Sequence, residues 1–69
     1  MRFNFIIDRE ADGRFIAEIP EIPGAMAYGS TEEEAKHKAY ALALYAIADD
    51  VERATREIPE SISIVSATA

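Results

Sequence analysis

The chain has 69 residues, 49% of them hydrophobic, a net charge of −6 and no cysteine. That length accommodates one small core and no second domain, so residues 1–69 read as a single unit; disulfide staples, thiolate metal sites and a cysteine nucleophile are excluded. The acidic balance opposes direct contact with nucleic acid, whose phosphates would repel it; it serves either solubility alone or the approach of a basic protein.

A domain this small buries only about 60% of its unfolded surface, so self-association is the most accessible further source of stability. The longest apolar run, Ala39 to Ala48, is far short of the roughly 20 residues that span a bilayer. The N-terminal MRFNFIIDREADGRF lacks the unbroken apolar stretch of a signal peptide. A cytoplasmic protein without membrane contact is expected.

Phe3, Phe5 and Ile7 alternate with Arg2, Asn4 and Asp8, the period of a strand with one buried face. Phe15, Ala17 and Ile19 repeat the pattern in a second strand. A two-residue Asp12-Gly13 loop would set Ile7 opposite Glu18 and mix the faces. A three-residue loop, Ala11-Asp12-Gly13, sets Ile7 opposite Ala17 and Phe5 opposite Ile19, and keeps the apolar side chains together. That loop is a type I turn followed by a bulge with glycine in the left-handed position. Glu10 and Arg14 would flank it with opposite charges.

Pro20 ends the second strand, because it has no N–H for the ladder. Pro23-Gly24 suits the two central positions of a type II turn. Ala25 to Tyr28 reads as a short third strand, and Gly29 releases the chain into a helix. Thr31-x-x-Glu34 is a capping box, with Ser30-x-x-Glu33 competing one residue earlier. Glu32 to Lys36 and Glu34 to Lys38 are spaced for ion pairs along the helix. Ala35, Ala39, Leu42 and Ala46 form one apolar stripe, and Tyr40, Leu44, Ile47 and Val51 a second. Asp49-x-x-Glu52 is itself a plausible cap, so the helix either runs past Asp49 or breaks there and restarts. Pro59 opposes helix at Ile58. Ser61 to Ala67 alternates again, with Ile62 and Ile64 inward, as a last strand, and the tail beyond is expected to fray. The expected fold is α+β, in the order βββαβ: a small, mainly antiparallel sheet covered on one face by one long helix.

The ordered set Asp12-Gly13, Phe15-Ile16-Ala17-Glu18-Ile19-Pro20, Ile22-Pro23-Gly24, Tyr28-Gly29, Thr31 and Glu34-Ala35 resembles the HicB-type antitoxins. These are the inhibitor halves of bacterial toxin–antitoxin pairs. The likeness runs from Phe3 to about Ile64. It implies a reduced RNase H-like fold, no enzymatic activity, and neutralisation of a small basic ribonuclease toxin of the HicA kind. Many members carry a separate DNA-binding module; the residues after the last strand are too few for one, so a single-domain form is expected.

RNase H-like folds work with metal-binding carboxylates. Asp8 and Glu18 would both point away from the helix, but the last strand offers no third carboxylate, so a nuclease is disfavoured. Asp8-x-Glu10-x-Asp12-Gly13 begins like a calcium loop, but Ile19 stands where that loop needs glutamate. His37 lacks partners at metal-ligand spacing, and no cofactor is expected. The residues expected to face a basic toxin are Asp8, Glu10, Asp12, Glu18 and Glu21. Ile6, Ile16 and Val65 fall on the sheet face that one helix cannot cover, and Tyr40, Leu44 and Ile47 on a second helix stripe. These six are expected at the interface of a homo-oligomer, at least a dimer. The alternative function is a standalone oligomeric domain with a structural or small-ligand role and no toxin.

Overall fold

The computed structural model describes residues 1–66. Its elements are β1 (Arg2–Arg9), β2 (Phe15–Glu18), β3 (Met26–Gly29), α1 (Glu32–Glu52) and β4 (Ser63–Ser66), in the expected βββαβ order. The sheet runs β3-β2-β1-β4. β1 pairs antiparallel with β2, and β2 with β3, while β4 lies parallel to β1. The connection through α1 therefore carries the chain from one sheet edge to the other, and the helix packs chiefly on β3 and β2.

The hairpin follows the three-residue loop. Ile7 faces Ala17 and Arg9 faces Phe15. The Glu10 N–H donates to the Arg14 carbonyl at 2.7 Å, the Gly13 N–H donates to the Glu10 carbonyl at 2.9 Å, and Gly13 takes φ +92°. Arg14 does not reach across to Glu10. Its guanidinium Nε lies 2.8 Å from Asp12 Oδ2, because the turn brings Asp12 over the Arg14 backbone, whose N–H donates to Asp12 Oδ1 at 3.1 Å.

The proline-rich passage is two consecutive tight turns. The Ile22 N–H donates to the Ile19 carbonyl at 3.0 Å and the Ala25 N–H to the Ile22 carbonyl at 3.1 Å. Gly24 has φ +85°, as the second centre of a type II turn requires. Ile19, Ile22 and Ala25 are all buried while Pro20 and Pro23 face solvent. β2 ends one residue before Ile19, whose N–H instead donates to the Ala25 carbonyl at 2.9 Å. Phe5 and Ile19 still share the buried face, as expected. β3 lies one residue later than the expected Ala25–Tyr28.

Thr31 wins the competition for the helix cap. Its Oγ1 accepts from the Glu34 N–H at 3.0 Å. The reciprocal arm is displaced: Glu34 Oε1 accepts from the N–H of Ser30, not Thr31, at 3.0 Å. Lys38 meets Glu34 at 3.5 Å as spaced. Lys36 instead takes Glu33 at 3.5 Å, because its chain leans toward the Phe5 ring, with Nζ 5.9 Å from the centroid.

The buried helix positions are Ala35, Ala39, Ala43 and Ile47. Two expectations are corrected here. Leu42 is not in the buried stripe but 40% exposed, and Ala43 takes its place. Ile47, expected at an oligomer interface, is 4% exposed in the core. Both follow from how closely the helix lies on the sheet. A methyl group placed on Gly29 at the end of β3 would sit 2.5 Å from the Ala35 nitrogen. At that distance the start of the helix has room for no more than a small side chain such as Ala35 against β3.

α1 passes Asp49 unbroken and does not restart. It ends in a Schellman motif, with Ala54 N–H donating to the Val51 carbonyl and Thr55 N–H to the Asp50 carbonyl, each at 3.0 Å. Ala54 occupies the left-handed position at φ +57°, where glycine is usual. β4 starts at Ser63, two residues later than expected; Ile64 lies beside Phe3, and Ile62, just before the strand, packs with Ile64 on the core as expected. Ala67 and the expected fraying tail lie outside the described residues.

Candidate partner-binding site

The helix leaves one sheet face uncovered, and alternation decides what stands on it. Register places Asp8, Ile16 and Tyr28 in one cross-strand row and Ile6, Glu18 and Met26 in the next. Asn4 and Val65 follow on the β4 side. Ile6, Met26 and Tyr28 are 49%, 47% and 40% exposed, and Ile16 and Val65 are half-buried. The Arg14 guanidinium stacks 4.6 Å from the Tyr28 ring centroid. This is an apolar surface with two carboxylates set into it.

The five acidic residues expected at a partner surface separate into three settings. Asp8 and Glu18 share the open sheet face, and among the described residues neither has an ion-pair partner. Glu10 and Asp12 lie at the hairpin end. The Arg14 backbone N–H, and then its guanidinium, hold the Asp12 carboxyl below its ordinary value. Glu21 does structural work instead: Oε2 accepts from the Asn4 N–H at 3.2 Å and from Asn4 Nδ2 at 3.4 Å. Since Pro20 stops β2, that stretch of β1 has no strand neighbour on its β2 side, and the Glu21 carboxylate satisfies the freed N–H.

Of the six expected interface residues, Ile6, Ile16 and Val65 gather on the open sheet face. Leu44, 41% exposed, and the half-buried Tyr40 lie together on the flank of α1. There they line a shallow groove of about 440 Å³ with Phe5, Lys36 and His37; the Tyr40 and Phe5 ring centroids are 6.3 Å apart. Ile47 does not join them. Sequence reasoning missed Met26 on the sheet face; Tyr28 beside it and Tyr45, 74% exposed on the helix, were expected only as core or interface packing. Strand alternation through β3 was the signal that could have placed Met26 and Tyr28. His37 is exposed, 4.0 Å from Glu33. Among the described residues no three His, Cys, Asp or Glu side chains gather as a metal site would require, and no helix is long and apolar enough to cross a membrane.

The fold and this surface define a small α+β domain whose sheet is roofed on one side only. No protein-family model, curated protein or solved structure matches the chain.

Proposed function

We propose that the chain is a non-enzymatic protein-binding module, an antitoxin of the HicB kind that neutralises a small basic ribonuclease. The observation that carries this reading is the uncovered sheet face, where Ile6, Ile16, Met26 and Tyr28 surround the unpaired carboxylates of Asp8 and Glu18. An apolar patch that carries carboxylates without an ion-pair partner among the described residues suits a basic protein partner: the apolar area supplies affinity, and the carboxylates select the partner and speed encounter. The ordered Asp12-Gly13, Ile22-Pro23-Gly24, Tyr28-Gly29, Thr31 and Glu34-Ala35 support the family reading. On this reading the protein works in the cytoplasm, beside its toxin.

The test is co-expression with a small basic HicA-type ribonuclease. The expected result is a co-purifying complex and protection of cells from the toxin. Asp8→Lys with Glu18→Lys is expected to abolish both while leaving the helical circular dichroism unchanged. A complex indifferent to this double variant would overturn the placement of the partner, and absence of any complex would overturn the function.

A further inference from the structure

Tyr28 stands at the β3 edge of the open sheet face, in the cross-strand row of Ile16 and Asp8. Ala27 beside it packs on the core, so the Tyr28 ring points the other way, into solvent. It is exposed and nonetheless held. The Arg14 guanidinium lies 4.6 Å from its ring centroid. Arg14 is held in turn: its Nε lies 2.8 Å from Asp12 Oδ2, and its backbone N–H donates to Asp12 Oδ1 at 3.1 Å. Asp12 sits in the tight hairpin loop, which Gly13 closes at φ +92° through its N–H to the Glu10 carbonyl. A chain of contacts thus runs from the hairpin backbone to an outward ring.

That chain does little for the fold. All three side chains are exposed, where cation–π contacts and ion pairs contribute little stability. Arg9 is the contrast. Its guanidinium lies 5.4 Å from the Phe15 centroid, but Phe15 packs on the core, so Arg9 covers the rim of the buried side. Tyr45, the more exposed tyrosine, has no cation stacked on it among the described residues.

What the contacts do is restrict Tyr28 before any partner arrives. A side chain already fixed loses little freedom on binding, and tyrosine has only two torsions to lose. A few such aromatic anchors carry most of the energy of a protein interface. The pairing with Asp12 also neutralises the Arg14 charge, which would otherwise repel a basic partner. Asp8 lies two strands from Tyr28, about 10 Å away, and Glu18 stands in the next row. A ring entering an apolar pocket of the partner would bring both carboxylates against the rim of that pocket.

We infer that Tyr28 is the principal anchor of the partner-binding face, and that Asp12 and Arg14 are positioning residues that pre-set its ring. The role rests on the open face being the contact for a basic ribonuclease. It adds what that partner must offer: an apolar pocket for one tyrosine, with basic side chains at its rim.

Calorimetric titration with the HicA-type ribonuclease measures the affinity. Tyr28→Val, which keeps a strand-favouring residue, is expected to weaken binding roughly 30-fold or more. Tyr28→Phe keeps the ring and should bind nearly as the parent does. Asp12→Asn with Arg14→Gln leaves the net charge and the turn acceptor in place but removes the ion pair and the cation over the ring. This double variant is expected to weaken binding roughly 2–10-fold, the cost of ordering one freed side chain. In the Tyr28→Val background it should cost nothing, whereas a purely structural role would weaken both backgrounds alike. In the free chain, proton magnetic resonance should show Arg14 side-chain protons shifted upfield by the Tyr28 ring, and Tyr28→Val should remove that shift. A complex that tolerates Tyr28→Val would overturn the anchor. A loss that persists in the Tyr28→Val background, or an unshifted Arg14 in the free chain, would overturn the positioning role. If the parent chain forms no complex at all, the reading of the open face falls, and the anchor with it.

Discussion

Replacing Gly29 by alanine tests how the helix is seated. The new methyl would meet the Ala35 nitrogen at 2.5 Å, the Glu34 Cβ at 2.9 Å and the Glu34 carbonyl carbon at 3.0 Å. Two of these are backbone atoms, so no rotamer change relieves them. Ordinary contact begins at 3.4 Å, so the helix start and β3 must part by roughly 0.9 Å. A gap of that size forfeits about a quarter to a half of each dispersion contact along the Ala35, Ala39 and Ala43 seam. Overpacking of this kind costs about 1–3 kcal/mol. The stiffer unfolded chain returns about 0.4–1 kcal/mol, leaving roughly 2 kcal/mol net at the upper end. For a domain of this size that lowers Tm by roughly 8–16 °C. The control is Gly24→Ala, where nothing lies within 4 Å and only the φ of +85° opposes a side chain; its cost should be about 1 kcal/mol. Urea and thermal unfolding followed by circular dichroism measure both. If Gly29→Ala costs less than Gly24→Ala, the close seating of α1 on β3 is wrong.

Ala54→Gly should stabilise the protein by about 0.5–1 kcal/mol in the same urea assay, since the left-handed conformation costs alanine about 1–2 kcal/mol and glycine's freer unfolded chain takes back only part of that. Ile47→Ala should cost about 2–5 kcal/mol as a buried truncation, against under about 1 kcal/mol for the exposed Leu42→Ala; a reversed order would refute the assigned core stripe. The Ser30 backbone N–H, and then the Lys38 charge, hold the Glu34 carboxyl below its ordinary 4.5. The unfolded chain therefore binds that proton more readily, so this contribution is fully present above pH 4.5 and is lost as pH falls through the lowered folded value. Glu34→Gln, which can still accept from Ser30, should show a shallower loss of stability with acid; an unchanged slope would remove Glu34 from the acid response.

Some features were readable locally because their causes are local. Gly13 and Pro23-Gly24 dictate backbone angles within a few residues, and Thr31 with Glu34 caps the helix through the next turn. The hairpin register followed from requiring one apolar face, since a slip of one residue exposes every inward side chain. Elsewhere the sequence was ambiguous. Leu42 and Ala43 are both apolar neighbours, and hydrophobicity alone favoured the larger one for the core. For Ile47, two stripes were open, and only the direction of the sheet chose between them. The pairing of Arg14 with Asp12 over Glu10, and of Lys36 with Glu33 over Glu32, depended on where flexible chains come to rest. The capture of Asn4 by Glu21 depended on where β2 stops.

What the residue order determined by itself was the succession of elements, the turn types and which residues of each strand share a side, because each follows from backbone preferences and a period of two. The tertiary structure alone decided the depth of the helix on the sheet and hence which helix stripe is inside. It also decided that β4 lies along the far edge parallel to β1, and that Met26 and Tyr28 join Asp8 and Glu18 on the open face. Those outcomes belong to contacts between segments remote in the chain, whose distances no local preference encodes.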